Sequence, residues 1–192
     1  MSDPAFQSMS VEDYLRTEQE SPIKREYVGG FVYPLHGATR AHVGTSKAHM
    51  QIVRNFVARL DEASERMNCR LSAVDMKLRV EGVNSFFYPD VMVVCGQPGG
   101  DPYFETDPCL LVEVLSPGTE SRDRREKYSA YTALPSLQTY LIVAQDARRV
   151  YAYTREGAGW TLQELVGQGE VFLPCLSHTL TLDQIYRGVP GL

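Results

Sequence analysis

The sequence predicts an α/β or α+β fold: a mixed central β-sheet flanked by helices, with a hairpin near the amino terminus. Three observations predict it. The run CLLVEVL at 109–115 is apolar at both parities except for Glu113, as expected of a central strand covered on both faces. Val53, Phe56, Val57 and Leu60 recur at i, i+3, i+4 and i+7, which makes the apolar stripe of a long helix before that strand. Strand-like and helix-like patterns alternate through the chain without repeats, low-complexity segments or a linker. At 192 residues and 43% hydrophobic, the chain can bury one sizeable core, so a single domain over 1–192 is expected.

Each element has a local cause. SVED reads as a capping box with Ser10 as N-cap and Asp13 at the third position, so a first helix is expected over residues 10–20, ending before Pro22. KREYVGGFVYPL holds two strand-forming runs joined at Gly29-Gly30, a turn that calls for positive φ, and places Glu26 on the first strand. The long helix is expected over about 40–67. Strands follow at 69–80, 86–95 and 109–115. After the turn SPGT a helix is expected over 121–134, with Glu120 and Asp123 near its positive end and Pro135 at its stop. LQTYLIVA at 137–144 is a buried strand, RRVYAYT and GWTLQELV a hairpin across REGAG, and TLDQIYRG a short final helix.

A net charge of -5 disfavours a protein that coats nucleic acid by basicity, while leaving room for a local basic groove. Cys69, Cys95, Cys109 and Cys175 are scattered with no CxxC pair. Neither a zinc ribbon nor a disulfide framework is indicated, and reduced thiols in a cytoplasm are the expectation. The sequence shows no basic-then-apolar leader and no apolar run long enough for a membrane span, so no membrane partner is expected.

Glu113 raises the chemical question. Its neighbours Leu111, Val112, Val114 and Leu115 bury it whichever face it points to, and a buried carboxylate needs a cation or hydrogen-bond donors. A structural salt bridge is one answer; a functional site, where perturbed carboxylates cluster, is the other. Asp90 in YPDVMVV opens a strand run and taken alone reads as a turn aspartate. Asp123, Lys127, Tyr131 and Leu134 fall at i, i+4, i+8 and i+11, so the lysine shares a helical face with inward-packing residues. Its alternative is a surface pair with Asp123. If adjacent strands join Asp90 to Glu113, two carboxylates with a main-chain carbonyl such as that of Val114 form hard ligands for Mg²⁺ or Mn²⁺. Glu26 is an accessory ligand or base, or else an exposed strand residue.

Other motifs point elsewhere or nowhere. His42 and His49 are seven apart without HExxH or a third ligand, so they read as polar surface histidines. Arg122, Arg124 and Arg125 could meet phosphates or form a solvated helix face. GTSK lacks the upstream glycine of a P-loop, and GxSxG is absent, which sets aside those nucleotide and ester hydrolases.

Asp90 at a strand start, Glu113 in EVLSPGT, and Asp123, Lys127 and Tyr131 on the next helix resemble the Uma-type restriction endonuclease family of the PD-(D/E)xK superfamily. The resemblance covers most of the chain, from the early GG hairpin through His42 to the late TYLIV strand. It implies a restriction-endonuclease-like core in which Asp90 and Glu113 bind a divalent metal. The superfamily's usual lysine, two positions after the glutamate, is replaced by Leu115, and the resemblance assigns its role to Lys127. Glu26 matches the family's early acidic position and His42 its histidine near the long helix. The expected function is a Mg²⁺- or Mn²⁺-dependent endonuclease acting on DNA, with Arg122 and Arg124 at phosphates and a homodimer for double-strand cleavage. A catalytically silent nuclease-fold protein that binds nucleic acid or a protein partner is the competing expectation.

Overall fold

The computed structural model describes residues 8–35, 45–97, 100–115 and 127–192. Strands β1 (Arg25–Val28) and β2 (Phe31–Pro34) form the expected hairpin, and Gly29 and Gly30 both take positive φ at its turn. Helix α1 (Val11–Gln19) precedes it, its first turn capped by the Ser10 side chain, which accepts from the Asp13 N–H. Helix α2 (Lys47–Arg66) is the long one. Its N-cap is Ser46 in extended conformation, so among the described residues it starts later than the expected 40.

The two long strands expected at 69–80 and 86–95 are each broken in two. β3 (Cys69–Ala73) and β4 (Lys77–Val80) lie in different sheets, as do β5 (Ser85–Phe87) and β6 (Val91–Cys95). Apolar patterning continues across both breaks, which is why the sequence reads as unbroken. The first break turns at Val74, whose φ of +69° is a conformation a β-branched residue adopts only under constraint. The second falls at Tyr88-Pro89-Asp90, where Pro89 has no N–H to give a ladder. The Val74 N–H donates to the Asp90 carbonyl at 3.1 Å, so the two breaks are fastened together.

With β7 (Phe104–Glu105), the small sheet runs β2-β1-β5-β4-β7. The large sheet runs β11-β10-β9-β8-β6-β3, with β8 (Pro108–Leu115), β9 (Thr139–Ala144), β10 (Arg149–Glu156) and β11 (Gly159–Val166). It is mixed: β8 and β9 are parallel, while β6 and β8 are antiparallel. Every residue of β8 is buried, as its two-sided apolar pattern requires. Between β8 and β9 stands helix α3 (Tyr128–Thr132); the rest of the helix expected over 121–134 falls partly on residues outside the described ones. A hairpin that the sequence pattern did not suggest, β12 (Glu170–Leu173) with β13 (His178–Thr181), precedes the final helix α4 (Leu182–Ile185), which has a full capping box from Thr181 and Gln184.

Two cores sandwich β8. Val112 and Val114 face Ile52, Val53, Phe56 and Leu60 of α2, while Leu111 and Leu115 face Ala130, Tyr131 and Tyr140. A third, smaller cluster packs Tyr14 of α1 on Tyr27 and Phe86. Glu18 locks α1 down by accepting from the Arg25 N–H, the Arg25 guanidinium and the Tyr88 hydroxyl.

The four cysteines are not dispersed thiols. Cys69 is bonded to Cys95 and Cys109 to Cys175, contrary to expectation, because the β3–β6 ladder sets Cys69 opposite Cys95 and the fold lays the turn that holds Cys175 against Cys109 of β8. No helix among the described residues is long and apolar enough to cross a membrane.

Phe56 lies on the α2 stripe at 1% exposure. Phe56→Ala is expected to lower the folding free energy by about 3–5 kcal/mol, the range for a truncated core aromatic, read as a fall in the urea midpoint at unchanged slope.

Candidate active site

The β6–β8 ladder ends with Val91 opposite Val112, and Asp90, the residue before β6, accepts the N–H of Val114, the neighbour of Glu113 on β8. Side chains alternate along β8, and Glu113 therefore points with Leu111 and Leu115 toward α3 rather than toward α2. There it meets its cation. Lys127 Nζ donates to Glu113 Oε1 at 3.1 Å, and the Tyr131 hydroxyl, one helical turn on, donates to the same oxygen at 2.9 Å. Both side chains of the ion pair are 7% exposed. Such a pair offsets its desolvation only when further hydrogen bonds complete it, and the Tyr131 hydroxyl supplies one.

Glu26 arrives from the small sheet. It lies on β1 with Val28 on the face that looks toward the same core, while Tyr27 points the other way toward α1. Glu26 Oε1 lies 3.2 Å from Lys127 Nζ, and among the described residues this buried atom accepts no hydrogen bond.

Asp90 is held from two sides. Its Oδ2 accepts the Val114 N–H at 2.7 Å, and its Oδ1 lies 2.9 Å from His49 Nε2. His49 stands in the first turn of α2, where its own N–H donates to the capping Ser46 Oγ at 3.0 Å. Ser46 Oγ in turn hydrogen-bonds Gln145 Oε1, and Gln145 Nε2 donates to the Leu115 carbonyl at 2.8 Å. The start of α2 is thereby tied to the ends of β8 and β9, beside the carboxylates.

Residues 11–184 match the sequence profile described as "Uma2: Putative restriction endonuclease". The chain belongs to the Uma2 family. It is 31% identical to "Uncharacterized protein slr1290" of Synechocystis over 96% of this chain and 94% of that one. With "Uncharacterized protein sll1609" of the same organism it shares 30% identity over 83% of this chain and 89% of the relative. The crystal structure of a protein from Anabaena variabilis, titled a putative nuclease belonging to DUF820, superposes with a TM-score of 0.69 at 13% identity, covering 93% of this chain and 97% of that one. That likeness shows a nuclease-like fold, and membership of the Uma2 family supports a nuclease.

Of the residues singled out in the sequence, Asp90, Glu113, Lys127, Glu26 and Tyr131 converge here. Lys127 is not an exposed surface lysine; it is buried against Glu26 and Glu113. His42, Arg122, Asp123 and Arg124 lie outside the described residues. His49, read from the sequence as a surface histidine, is instead 12% exposed against Asp90. The available signal was Ser46 as N-cap, which puts His49 in the turn nearest the strand ends; Gln145, the first polar residue after an apolar strand, carried a similar one.

The donor set suits a hard divalent cation of the kind such families use. Glu26 and Glu113 bring two carboxylates against one ammonium, Asp90 accepts the N–H of Val114 next to Glu113, and among the described residues the buried Glu26 Oε1 accepts no hydrogen bond. Asp90 and Glu113 supply two carboxylates rather than a closed cage, the number Mg²⁺ accepts when waters and substrate phosphate complete its octahedron. The Val114 main chain contributes its N–H to Asp90.

Burial raises the Tyr131 phenol well above its ordinary range, a shift the nearby Glu113 charge reinforces. Tyr14 and Tyr88 are raised chiefly by burial too, and Tyr186 to about 12 for the same reason. Phenols that ionise less readily folded than unfolded stabilise the fold fully below pH ~10. That stability is lost as pH climbs above 10, for Tyr186 up to about 12. Urea midpoints are expected to fall steadily over this window, and phenolate absorption to appear together with unfolding.

Proposed function

We propose that this chain, as a single restriction-endonuclease-like domain, is a divalent-metal-dependent endonuclease that hydrolyses phosphodiester bonds of DNA. The observation that carries this reading is Glu113, buried in a strand, paired with Lys127 and next to Val114, whose N–H donates to the Asp90 carboxylate. Asp90 and Glu113 would hold Mg²⁺ or Mn²⁺. Such an ion, when bound, polarises a phosphate oxygen and lowers the pKa of a bound water.

The chain's own residues prepare the rest. Lys127 Nζ, fixed against Glu113 and Glu26, orients the attacking water and neutralises charge that develops on the phosphate. Glu26 is the accessory acid or base in reach of the same ammonium. Tyr131 positions Glu113 through its hydroxyl, and His49 and the Val114 N–H fix the Asp90 carboxylate. Arg122 and Arg124 would contact phosphates, with Asp123 and His42 in support. Cleavage of two strands calls for two copies of the chain, so a homodimer belongs to the proposal, as does a cytoplasmic location.

One observation favours a second reading. Leu115, where the superfamily's usual lysine would stand, packs into the apolar core. A silent nuclease fold that binds nucleic acid or a protein would tolerate that.

Supercoiled, linear and single-stranded DNA incubated with Mn²⁺ or Mg²⁺ are expected to be cut by the parent chain. Glu113→Gln, purified identically and equally folded by circular dichroism, is expected to lose on the order of 10²–10³-fold or more of that rate. Cleavage unchanged in the variant would remove this site from the mechanism. Mn²⁺ is further expected to raise the Tm of the parent chain and not that of Asp90→Ala. No cleavage together with no metal-dependent shift would leave the silent fold as the better reading.

A further inference from the structure

The two disulfides of the chain lie side by side, although their cysteines are 26 residues apart in one bonded pair and 66 in the other. Cys69 opens β3 directly opposite Cys95, the last residue of β6. Cys109 stands near the start of β8, and Cys175 in the 3₁₀ turn Pro174–Leu176 that follows β12. The Sγ atoms of Cys95 and Cys109, which belong to different disulfides, are 3.5 Å apart. Those of Cys95, Cys109 and Cys175 all lie within 4.8 Å of one another, and among the described residues they are the one such group of His, Cys, Asp or Glu ligand atoms.

A pair of structural staples does not explain this placement. Disulfides constrain the unfolded chain most when they close separate long loops, and a 192-residue chain with an extensive core has little need of them. Here the sulfurs of Cys95, Cys109 and Cys175, from three separate elements, gather within 4.8 Å of one another, and Cys69 is bonded to the first of them, so the four form one knot of neighbouring disulfides. A tetrahedral thiolate site places its sulfurs about 2.3 Å from the metal and hence about 3.8 Å from one another, a spacing close to that of Cys95 and Cys109.

We propose that in its reduced state this knot is a structural Zn²⁺ site with Cys69, Cys95, Cys109 and Cys175 as its four ligands. Each disulfide takes two electrons and two protons from a dithiol, which leaves as its own disulfide. The four thiols then release four protons as four Zn–S bonds form. The bound ion fastens the β12–β13 hairpin, through Cys175, to the end of the large sheet. Glu113 stands four positions on from Cys109 along β8, about 13 Å, so this site is apart from the candidate active site and does not rest on the nuclease reading.

The test uses the full chain, purified without oxygen in a phosphine reductant, stripped with chelator and titrated with Co²⁺. One Co²⁺ per chain is expected, with the intense thiolate charge-transfer and ligand-field absorption of tetrahedral cobalt, displaced by one equivalent of Zn²⁺. Four thiols are expected to react with a thiol reagent before Zn²⁺ is added and to be protected afterwards. Cys175→Ser and Cys69→Ser are each expected to weaken binding at least tenfold and alter the spectrum. Cys69 is half-buried at a strand start, so its variant is the one expected to stay folded if Cys175→Ser does not. Four reactive thiols that bind no Co²⁺, disulfides that resist reduction in the folded chain, bound iron with sulfide, or a spectrum unchanged in both variants would each overturn the proposal.

Discussion

A carboxylate in the middle of a fully buried strand is the constraint around which the site is organised. Glu113 can stay in β8 only if charge and donors reach it, and the β8-to-β9 connection delivers both from one helical face: Lys127 and, a turn later, Tyr131. The ion pair is costly to desolvate, and the Tyr131 hydroxyl completes it. Because Lys127 also approaches Glu26 of β1, the same interaction joins the small sheet to the large one. The ammonium thus lies between two sheets that share no strand.

Asp90 owes its place to a break rather than to regular structure. The chain leaves the small sheet at Phe87 and enters the large one at Val91, and Asp90 sits in the crossing. Its carbonyl holds Val74 at the other crossing, while its carboxylate holds Val114 and meets His49. Tyr88, two residues earlier, is anchored on Glu18. These bonds fix a loop residue as firmly as a strand residue, which is what a binding carboxylate needs and what a solvated turn aspartate lacks.

Much of this was legible in order of residues. Capping residues marked α1, Gly29-Gly30 marked the first hairpin, and a two-sided apolar run with one charge marked β8 as central. The period of Lys127 and Tyr131 placed both on the inward face. The breaks at Val74 and Pro89 were hidden because apolar alternation ran straight through them, so two pairs of short strands read as two long ones. His49 was hidden because a histidine at a helix start looks like any exposed polar residue until a strand end is packed beneath it.

By itself the sequence determined the elements and the residue types that carry chemistry, because helix periods, caps, turns and burial patterns are local properties. Only the tertiary structure decided which distant residues share a point in space. It brought Asp90 to the Val114 N–H beside Glu113, turned Lys127 between two glutamates, brought His49 to Asp90 and set the two disulfides of four scattered cysteines side by side. Those encounters depend on strand order and register, which are fixed by the summed burial of two cores rather than by any short stretch of chain.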